Sequence, residues 1–331
     1  MRFRNPDPRH RGPTRWQVFR WAVVDRVLGR RKPAPPGLPA SSVAVDHALI
    51  QAHNAGPRVT WIGHSSVLFQ SDGHNVLLDP VFAEQRIAWF YPRYAPPGLR
   101  PDELPPIDAI LISHSHPDHL DLRSIEALSR EATVVVPRRL GKLFTRRQFA
   151  RVIELDWWEA TQLGGMRITL TPARHWSCRS PWDRNRTLWG GYVVETPSGS
   201  IYHVGDSACC DVFAEVGRRF PGLSAALVPI GGYEPAWFMS QNHINPEEAG
   251  RAFLDCGART LIPVHWGTFQ LTDESLREPI ERLETWWQTY SPAQRRLTRL
   301  AVGETLLLNT ADADPQRRSG EPARNQARSA G

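Results

Sequence analysis

Four groups able to bind a metal or move a proton stand within six residues: His114, His116, Asp118 and His119, in the run HSHPDH. Imidazole nitrogens and a carboxylate together suit zinc, and also manganese or iron. Clustered imidazoles suffer desolvation and mutual repulsion unless something binds them, so a metal is the natural occupant. A polar histidine-rich surface turn is the bland alternative. Against it stand further donors far along the chain, each placed just beyond an apolar run: His175 in TPARHWS, Asp206 in HVGDS, His243 before NPEEA and His265 in PVHWGT.

The elements that must position these groups are strands. Asp108–Ser113 (DAILIS) is too short for a helix and rich in β-favouring residues, so the spacing predicts a buried strand with the histidine run in the loop at its end. Arg58–Gly63, Ser66–Gln70 and Asn75–Asp79 read as a meander, and Thr133–Val136 as a further strand. Hairpins are expected over Gln162–Thr171 and over Gly190–Glu195 with Ser200–Val204. Ala225–Pro229 and Thr260–Val264 are strands, and Arg299–Leu308 is expected as a last hairpin. Helical spacing marks Leu120–Arg130 and Glu274–Trp287. Asn245 as cap, Pro246 in the first turn and Gly257 as stop predict a helix between them. Two batches of strands, each with helices, imply an α/β (α+β) chain folded as a four-layer sandwich with helices outside two facing sheets.

The chain of 331 residues has 41% hydrophobic and 22% charged residues, the balance of a globular protein. Its net charge of +6 is unevenly distributed. Residues 1–40 hold ten Arg or Lys against Asp7 and Asp25, which gives this arm +8 and leaves −2 for the rest. Basicity of the arm alone argues against a nucleic-acid partner for the body. The arm ends in the extended linker Lys32–Pro39, and Thr14–Leu28 within it can form a helix bearing Trp16, Phe19, Trp21 and Val23. Two readings of the arm stay open: packing onto the body or a partner subunit, as in a homodimer, and lying on an anionic membrane surface. No run approaches the roughly 20 apolar residues of a spanning helix. Cys178, Cys209, Cys210 and Cys256 show no metal or disulfide spacing and read as free thiols, which places the chain in the cytoplasm, with the arm allowing a peripheral place at the inner membrane. Residues 41–310 form one catalytic unit in this reading, and 311–331 a disordered tail.

HSHPDH, a lone His, a Gly-Asp and a strand-end His together resemble the metallo-β-lactamase superfamily, over nearly everything from Thr60 to Thr310. TWIGHSSVL, LLDPVF, PARHWS, RTLWGGYVVE, IGGYEPAWFM, NHINPEEA and HWGTF are similar to the branch of N-acylphosphatidylethanolamine-hydrolysing phospholipase D. Pro117 departs from that branch, which more often has an aromatic residue there. The resemblance implies an αβ/βα sandwich with two metals at its mouth, zinc first, with manganese or iron as alternatives. His114, His116 and His175 would hold one metal, and Asp118, His119 and His265 the other. Asp206 would bridge them, with a hydroxide between the metals as nucleophile. Asp118 and His243 are the residues assigned to catalysis, His243 contacting phosphate or protonating the leaving oxygen. Asp79 is expected to accept a hydrogen bond from a ligand imidazole. His64 is read more as a satisfied core histidine than as a donor, and His10 and His203 have no role.

The activity so implied is phospholipase D-type hydrolysis of N-acylphosphatidylethanolamine to N-acylethanolamine and phosphatidic acid, with a phospholipid or other phosphodiester as partner. The alternative is a lactonase or small phosphodiester hydrolase similar to the ascorbate-6-phosphate lactonases. Tyr233, Trp237, Phe238, Met239, Trp176, Trp182 and Trp189 divide between an acyl channel and ordinary core.

Overall fold

Successive side chains of a strand point to opposite faces, and the central strands are buried on both, which dictates the layering. The computed structural model describes residues 2–308 apart from positions 9, 11, 32, 54, 88–90, 181 and 291–293; the expected tail at 311–331 lies outside the described residues. The first half contributes β1 (Arg58–Gly63), β2 (Ser66–Ser71), β3 (His74–Leu78), β4 (Arg86–Ile87), β5 (Tyr91–Pro92), β6 (Ala109–Leu111), β7 (Thr133–Pro137) and β8 (Val152–Leu155). The second contributes β9 (Ala160–Leu163), β10 (Met166–Thr171), β11 (Gly191–Glu195), β12 (Ser200–His203), β13 (Ala225–Pro229), β14 (Thr260–Val264), β15 (Arg296–Leu297) and β16 (Thr305–Leu307).

These build two seven-stranded sheets, ordered β16-β1-β2-β3-β6-β7-β8 and β15-β14-β13-β12-β11-β10-β9, with β4 and β5 as a separate pair. Val67, Phe69, Val76, Leu78, Leu111 and Val135 face the second sheet, where they meet Met166, Ile168, Leu170 and Val194. Their strand neighbours Leu68, Leu77, Ile110, Val134 and Val136 point the other way, onto Ile125 of the helix Leu122–Glu126 and Phe144 of the helix Lys142–Thr145. On the far side of the second sheet, Phe253 of the helix Pro246–Cys256 and Trp286 of the helix Glu278–Tyr290 close the fourth layer. Each such side chain contributes about 1.5–3 kcal/mol by burial. Truncating one of the aromatics to alanine costs about 3–5 kcal/mol.

Strand direction is what assembles the site. β1 is antiparallel to β2 and β2 to β3, while β3, β6 and β7 run parallel. In the other sheet β10 and β12 both oppose β11, and β12, β13 and β14 run parallel. The loops after β1, β3 and β6, and those after β10, β12 and β14, therefore leave strands that point the same way. Binding groups collect beyond such carboxyl ends in open α/β sheets.

The helix at 246–256 forms as its signals require: Asn245 and Glu248 make a reciprocal capping box and Gly257 ends it at φ 69°. The expected hairpin at 299–308 does not form. β15 joins the second sheet by pairing parallel to β14, and β16 crosses to the first sheet to pair with β1. The unpaired edge of β1 draws it there, with Gly303 and Leu308 donating to the Trp61 and Pro57 carbonyls. The helix expected from Glu274 begins instead at Glu278, whose amide is capped by Ser275, because the Glu274 carboxylate is engaged by Gly232, Glu234 and Thr272. The helix Val212–Arg219 is not among the sequence expectations; it buries Phe213 and Val216 and rests Val212 on the core.

The arm lies against the body. Thr14 and Gln17 cap a helix made of an α turn at Arg15–Phe19, a π turn at Arg20–Val24 and a last turn at Asp25–Val27. Trp21 Nε1 and Arg31 Nε donate to the Asp273 carboxylate at 3.0 and 2.7 Å, and Arg31 also stacks on the Trp21 ring. Ala34 and Ala40 donate to the Asp273 and Gly267 carbonyls. All four cysteines are free, and among the described residues no helix is long and apolar enough to cross a membrane.

Candidate metal centre

β6 delivers the HSHPDH loop, and the turn after it is held from within: the amides of His119 and Leu120 donate to the His116 carbonyl. From this loop His114 and His116 meet His175, which follows β10, and Asp206, which follows β12. Asp118 and His119 face the other way and meet His265, at the end of β14. Every sequence-assigned ligand thus joins one of these two donor sets, His243 forms a further group with Asp206 and His265, and within each group the donor atoms lie within 4.8 Å of one another.

In the first set His114 Nε2 and His175 Nε2 lie 2.8 and 3.2 Å from His116 Nδ1, and 3.8 and 3.7 Å from Asp206 Oδ2. In the second, Asp118 Oδ2 is 3.5 Å from His119 Nε2 and 3.4 Å from His265 Nε2. Asp206 belongs to this side as well, with Oδ2 3.2 Å from His119 Nε2 and Oδ1 3.4 Å from His265 Nε2. His243, on the loop before the helix Pro246–Cys256, brings Nδ1 to 3.9 Å from Asp206 Oδ2.

The second set contains a residue that the sequence reading had placed in the core. His64 Nε2 is 3.1 Å from Asp118 Oδ2 and the side chain is buried, which puts His64 among the groups that could hold an ion on this side. Its own Nδ1 has no hydrogen-bond partner. Its place directly after β1 matches that of His265 directly after β14. His64, Asp79 and His265 all adopt left-handed backbone conformations, at φ 53°, 43° and 61°. Such strain in non-glycine residues collects at functional sites. Gly205, before Asp206, has φ 65°, and a Cβ there would press on Ser113 Cβ at 2.8 Å. Only glycine lets β12 deliver Asp206 so close to the histidine loop.

The tautomers are fixed from behind. Asp79 accepts from His119 Nδ1 at 2.8 Å, as expected of it, and from the Ser113 amide and hydroxyl at 2.7 and 2.6 Å. The same hydroxyl accepts from His114 Nδ1 at 2.9 Å. One buried carboxylate therefore orients a ligand on each side of the centre. His175 Nδ1 donates to the Asn242 carbonyl at 2.9 Å, and Asn5 of the arm donates to the His175 carbonyl at 2.8 Å. Ser113, Asn242 and Asn5 carry no mark in the sequence that would single them out.

Burial depresses His114 and His175 well below the usual imidazole value, and His116 and His243 to about 4. It also depresses His64, to about 3, with His265 adding to the effect. Burial acts downward on His119 and His265 too, but Asp206 and Asp118 outweigh it, leaving His119 well above the usual value and His265 at about 9. Both carboxyls would be raised by burial; the surrounding imidazoles, His119 foremost, hold them well below the usual range.

The donor chemistry fits divalent metal. His116 Nε2, His119 Nε2, His265 Nε2 and Asp206 Oδ1 are buried without hydrogen-bond partners, and such groups are costly unless bound. Three imidazole nitrogens converging at these separations need a shared electrophile, and a His/carboxylate set without thiolate suits zinc, manganese or iron. Of the aromatic candidates, Tyr233, Phe238 and Trp189 are core, Trp176 stands half-buried against His116, and Trp182 and Trp237 are exposed.

The β-lactamase superfamily domain matches residues 74–266. The chain is 37% identical over 239 residues to the mitochondrial N-acyl-phosphatidylethanolamine-hydrolyzing phospholipase D of Saccharomyces cerevisiae, covering 68% of this chain and 50% of that one. It is 33% identical over 280 residues to N-acyl-phosphatidylethanolamine-hydrolyzing phospholipase D 1 of Caenorhabditis elegans, covering 77% and 78%. Among solved structures, a possible metal-dependent hydrolase from Veillonella parvula superposes with a TM-score of 0.61 at 18% identity, over 77% of this chain and all of that one.

Proposed function

Because this chain belongs to the β-lactamase superfamily, with the four-layer metallo-β-lactamase fold, and is a metal-dependent hydrolase, we propose that it is a binuclear phosphodiesterase of phospholipase D type. Its substrate in this reading is N-acylphosphatidylethanolamine. Water cleaves the phosphodiester bond to the N-acylethanolamine oxygen, releasing N-acylethanolamine and phosphatidic acid. What supports the reading is the position of Asp206 between the two donor sets, 3.8 and 3.7 Å from His114 and His175 and 3.2 and 3.4 Å from His119 and His265, joined to likeness along most of the chain to two phospholipases of that type.

His114, His116 and His175 would hold one ion, Asp118, His119, His265 and His64 the other, and Asp206 both. When bound, two zinc ions supply Lewis acidity to the phosphoryl oxygens and acidify water toward neutrality. The chain's own groups do the rest. Asp79 and Ser113 hold the ring planes of His119 and His114, and the Asn242 carbonyl that of His175, so that the donor nitrogens meet substrate already oriented. Asp118 is enclosed by three imidazoles and serves as a ligand carboxylate. His243, half-buried beside Asp206, is neutral at pH 7 with its pKa at about 4. Its suitable role is therefore to donate a neutral N–H hydrogen bond to a phosphoryl oxygen; a charged imidazolium is not available there.

The test is a product assay with purified, metal-analysed protein on detergent-dispersed N-acylphosphatidylethanolamine, beside soluble lactones and bis-p-nitrophenyl phosphate. N-acylethanolamine and phosphatidic acid in equal amounts, with two metals per chain, is the expected result. Lactone opening without lipid cleavage would reject the phospholipase reading in favour of the lactonase one.

A further inference from the structure

The arm helix turns its apolar side chains the wrong way for a helix that only packs on a body. Its inward face holds Trp21 and Asp25, 7% and 8% exposed. Trp16, Phe19, Val23 and Val27, spaced i, i+3, i+7 and i+11, stand on the other side at 63%, 49%, 43% and 79% exposure. Helical periodicity places such residues on one stripe, and water is a poor solvent for it. Exposed apolar residues grouped on one stripe mark an interaction site.

The inward side of the helix anchors it to the rim of the metal centre, where Trp237 is exposed as well. Trp21 stacks on Phe238 with ring centres 5.4 Å apart, and the Arg20 guanidinium lies 5.1 Å over the half-exposed ring of Trp237. Trp237 and Phe238 belong to the short helix Ala236–Met239, whose Met239 carbonyl accepts from the His243 amide at 3.0 Å. Exposed Arg26 and Arg30 flank the stripe, within an arm of charge +8. Tryptophan and phenylalanine bordered by arginines, on a helix with an anchored back, is the chemistry of a helix lying in the plane of a membrane interface.

We propose that this face docks on an anionic lipid bilayer, with Trp16, Phe19, Val23 and Trp237 entering the boundary between headgroups and acyl chains, and Arg26 and Arg30 meeting the phosphates. Charge complementarity selects a bilayer over a second copy of the chain, because a two-fold pairing of this face would set its arginines against each other. The docking deepens the phosphodiesterase reading and rests on it for its purpose: it would set His243 and the metal mouth at the depth where a phospholipid headgroup lies. Arg20 Nε is 3.4 Å from Asp25 and steadies Trp237 instead of joining the flank.

The test uses the metal-loaded full chain and vesicles free of substrate, of phosphatidylcholine with or without phosphatidylglycerol, read by sedimentation. The wild type should bind the phosphatidylglycerol vesicles and lose binding as salt rises. The combined variant Trp16→Ser, Phe19→Ser and Val23→Ser should partition at least about tenfold less, and Arg26→Glu with Arg30→Glu by a similar factor. Both should keep the wild-type unfolding midpoint, since the side chains are exposed. Vesicle binding equal in all three proteins, or absent in the wild type, overturns the proposal. So does a wild-type dimer that the triple variant converts to monomer without any vesicle binding. Cleavage of N-acylphosphatidylethanolamine in detergent micelles is measured separately: its absence beside intact vesicle binding rejects the phosphodiesterase reading and leaves the docking face standing.

Discussion

The two donor sets share Asp206 but differ in what they hold when no metal is bound. His114, His116 and His175 are neutral at pH 7, because burial, with repulsion from neighbouring imidazoles, keeps protons off. His119 and His265 keep theirs, since Asp118 and Asp206 pay the desolvation cost of the imidazolium. The first set thus meets a cation with lone pairs ready and tautomers fixed by Ser113 and Asn242. The second must exchange protons for the cation. One half of the centre is prepared by exclusion of charge, the other by charges that stand in for the metal.

The sharpest way to break that comparison is to remove what the two sets share. Asp206→Asn keeps the shape but takes away the charge facing His119 and His265 and the oxygen facing His114 and His175. Turnover should fall by more than about 100-fold, beyond the loss seen for outer-shell partners of metal ligands, and elemental analysis should find one metal per chain or none. Two retained metals with full turnover would show that Asp206 bridges nothing. His116→Ala should lower turnover comparably while leaving the second set able to bind.

Next in size is Asp79→Asn. Asp79 reaches His119 directly and His114 through the Ser113 hydroxyl, so metal affinity should drop about 10- to 100-fold on both sides. Ser113→Ala should weaken the first set more than the second, because its hydroxyl lies 2.9 Å from His114 Nδ1 and 3.4 Å from His119 Nδ1. Titration with a competing chelator separates the two; equal behaviour of both variants would deny the relay through Ser113.

How much of this could be read from the sequence follows from distance along the chain. Strand alternation, turn residues and the Asn245 cap are local, so the meander, the two hairpins at 160–171 and 191–203 and the helix at 246–256 were legible. So was each donor that ends a strand. His64 stands apart because a lone histidine after a strand carries no local mark separating ligand from core; only the order of strands within the first sheet, with β1 and β6 in one layer, brings it to Asp118. The last segment was misread for the same reason: the partner of β16 is β1, nearly the whole chain away, and no local pattern states which edge lacks a neighbour.

The two sets should also differ in pH response. His265 has its folded-state pKa raised to about 9 and His119 lies well above the usual value, so at neutral pH the second set must give up protons to load. Its apparent affinity should rise about tenfold per pH unit for each proton displaced, up to about pH 9. The first set, with pKa values pushed down, should show little change between about pH 7 and 8. Calorimetry of metal loading in buffers of different ionisation enthalpy counts the protons. Equal release from both steps would erase the distinction between the sets.

The smallest effect tests how far the first set depends on the arm. Asn5 donates to the His175 carbonyl, and His10 Nε2 lies 3.1 Å from Asn242 Oδ1, the residue whose carbonyl fixes the His175 ring. Two struts from one end of the chain therefore converge on one ligand 170 residues away. Asn5→Ala removes a half-buried hydrogen bond between neutral groups, worth about 0.5–1.5 kcal/mol, which is roughly a two- to tenfold faster loss of one metal to a chelator. The other metal should leave at the wild-type rate, because no arm residue among these contacts touches Asp118, His119 or His265. If both metals leave faster together, the arm stabilises the fold as a whole; if neither does, His175 is held by Asn242 alone.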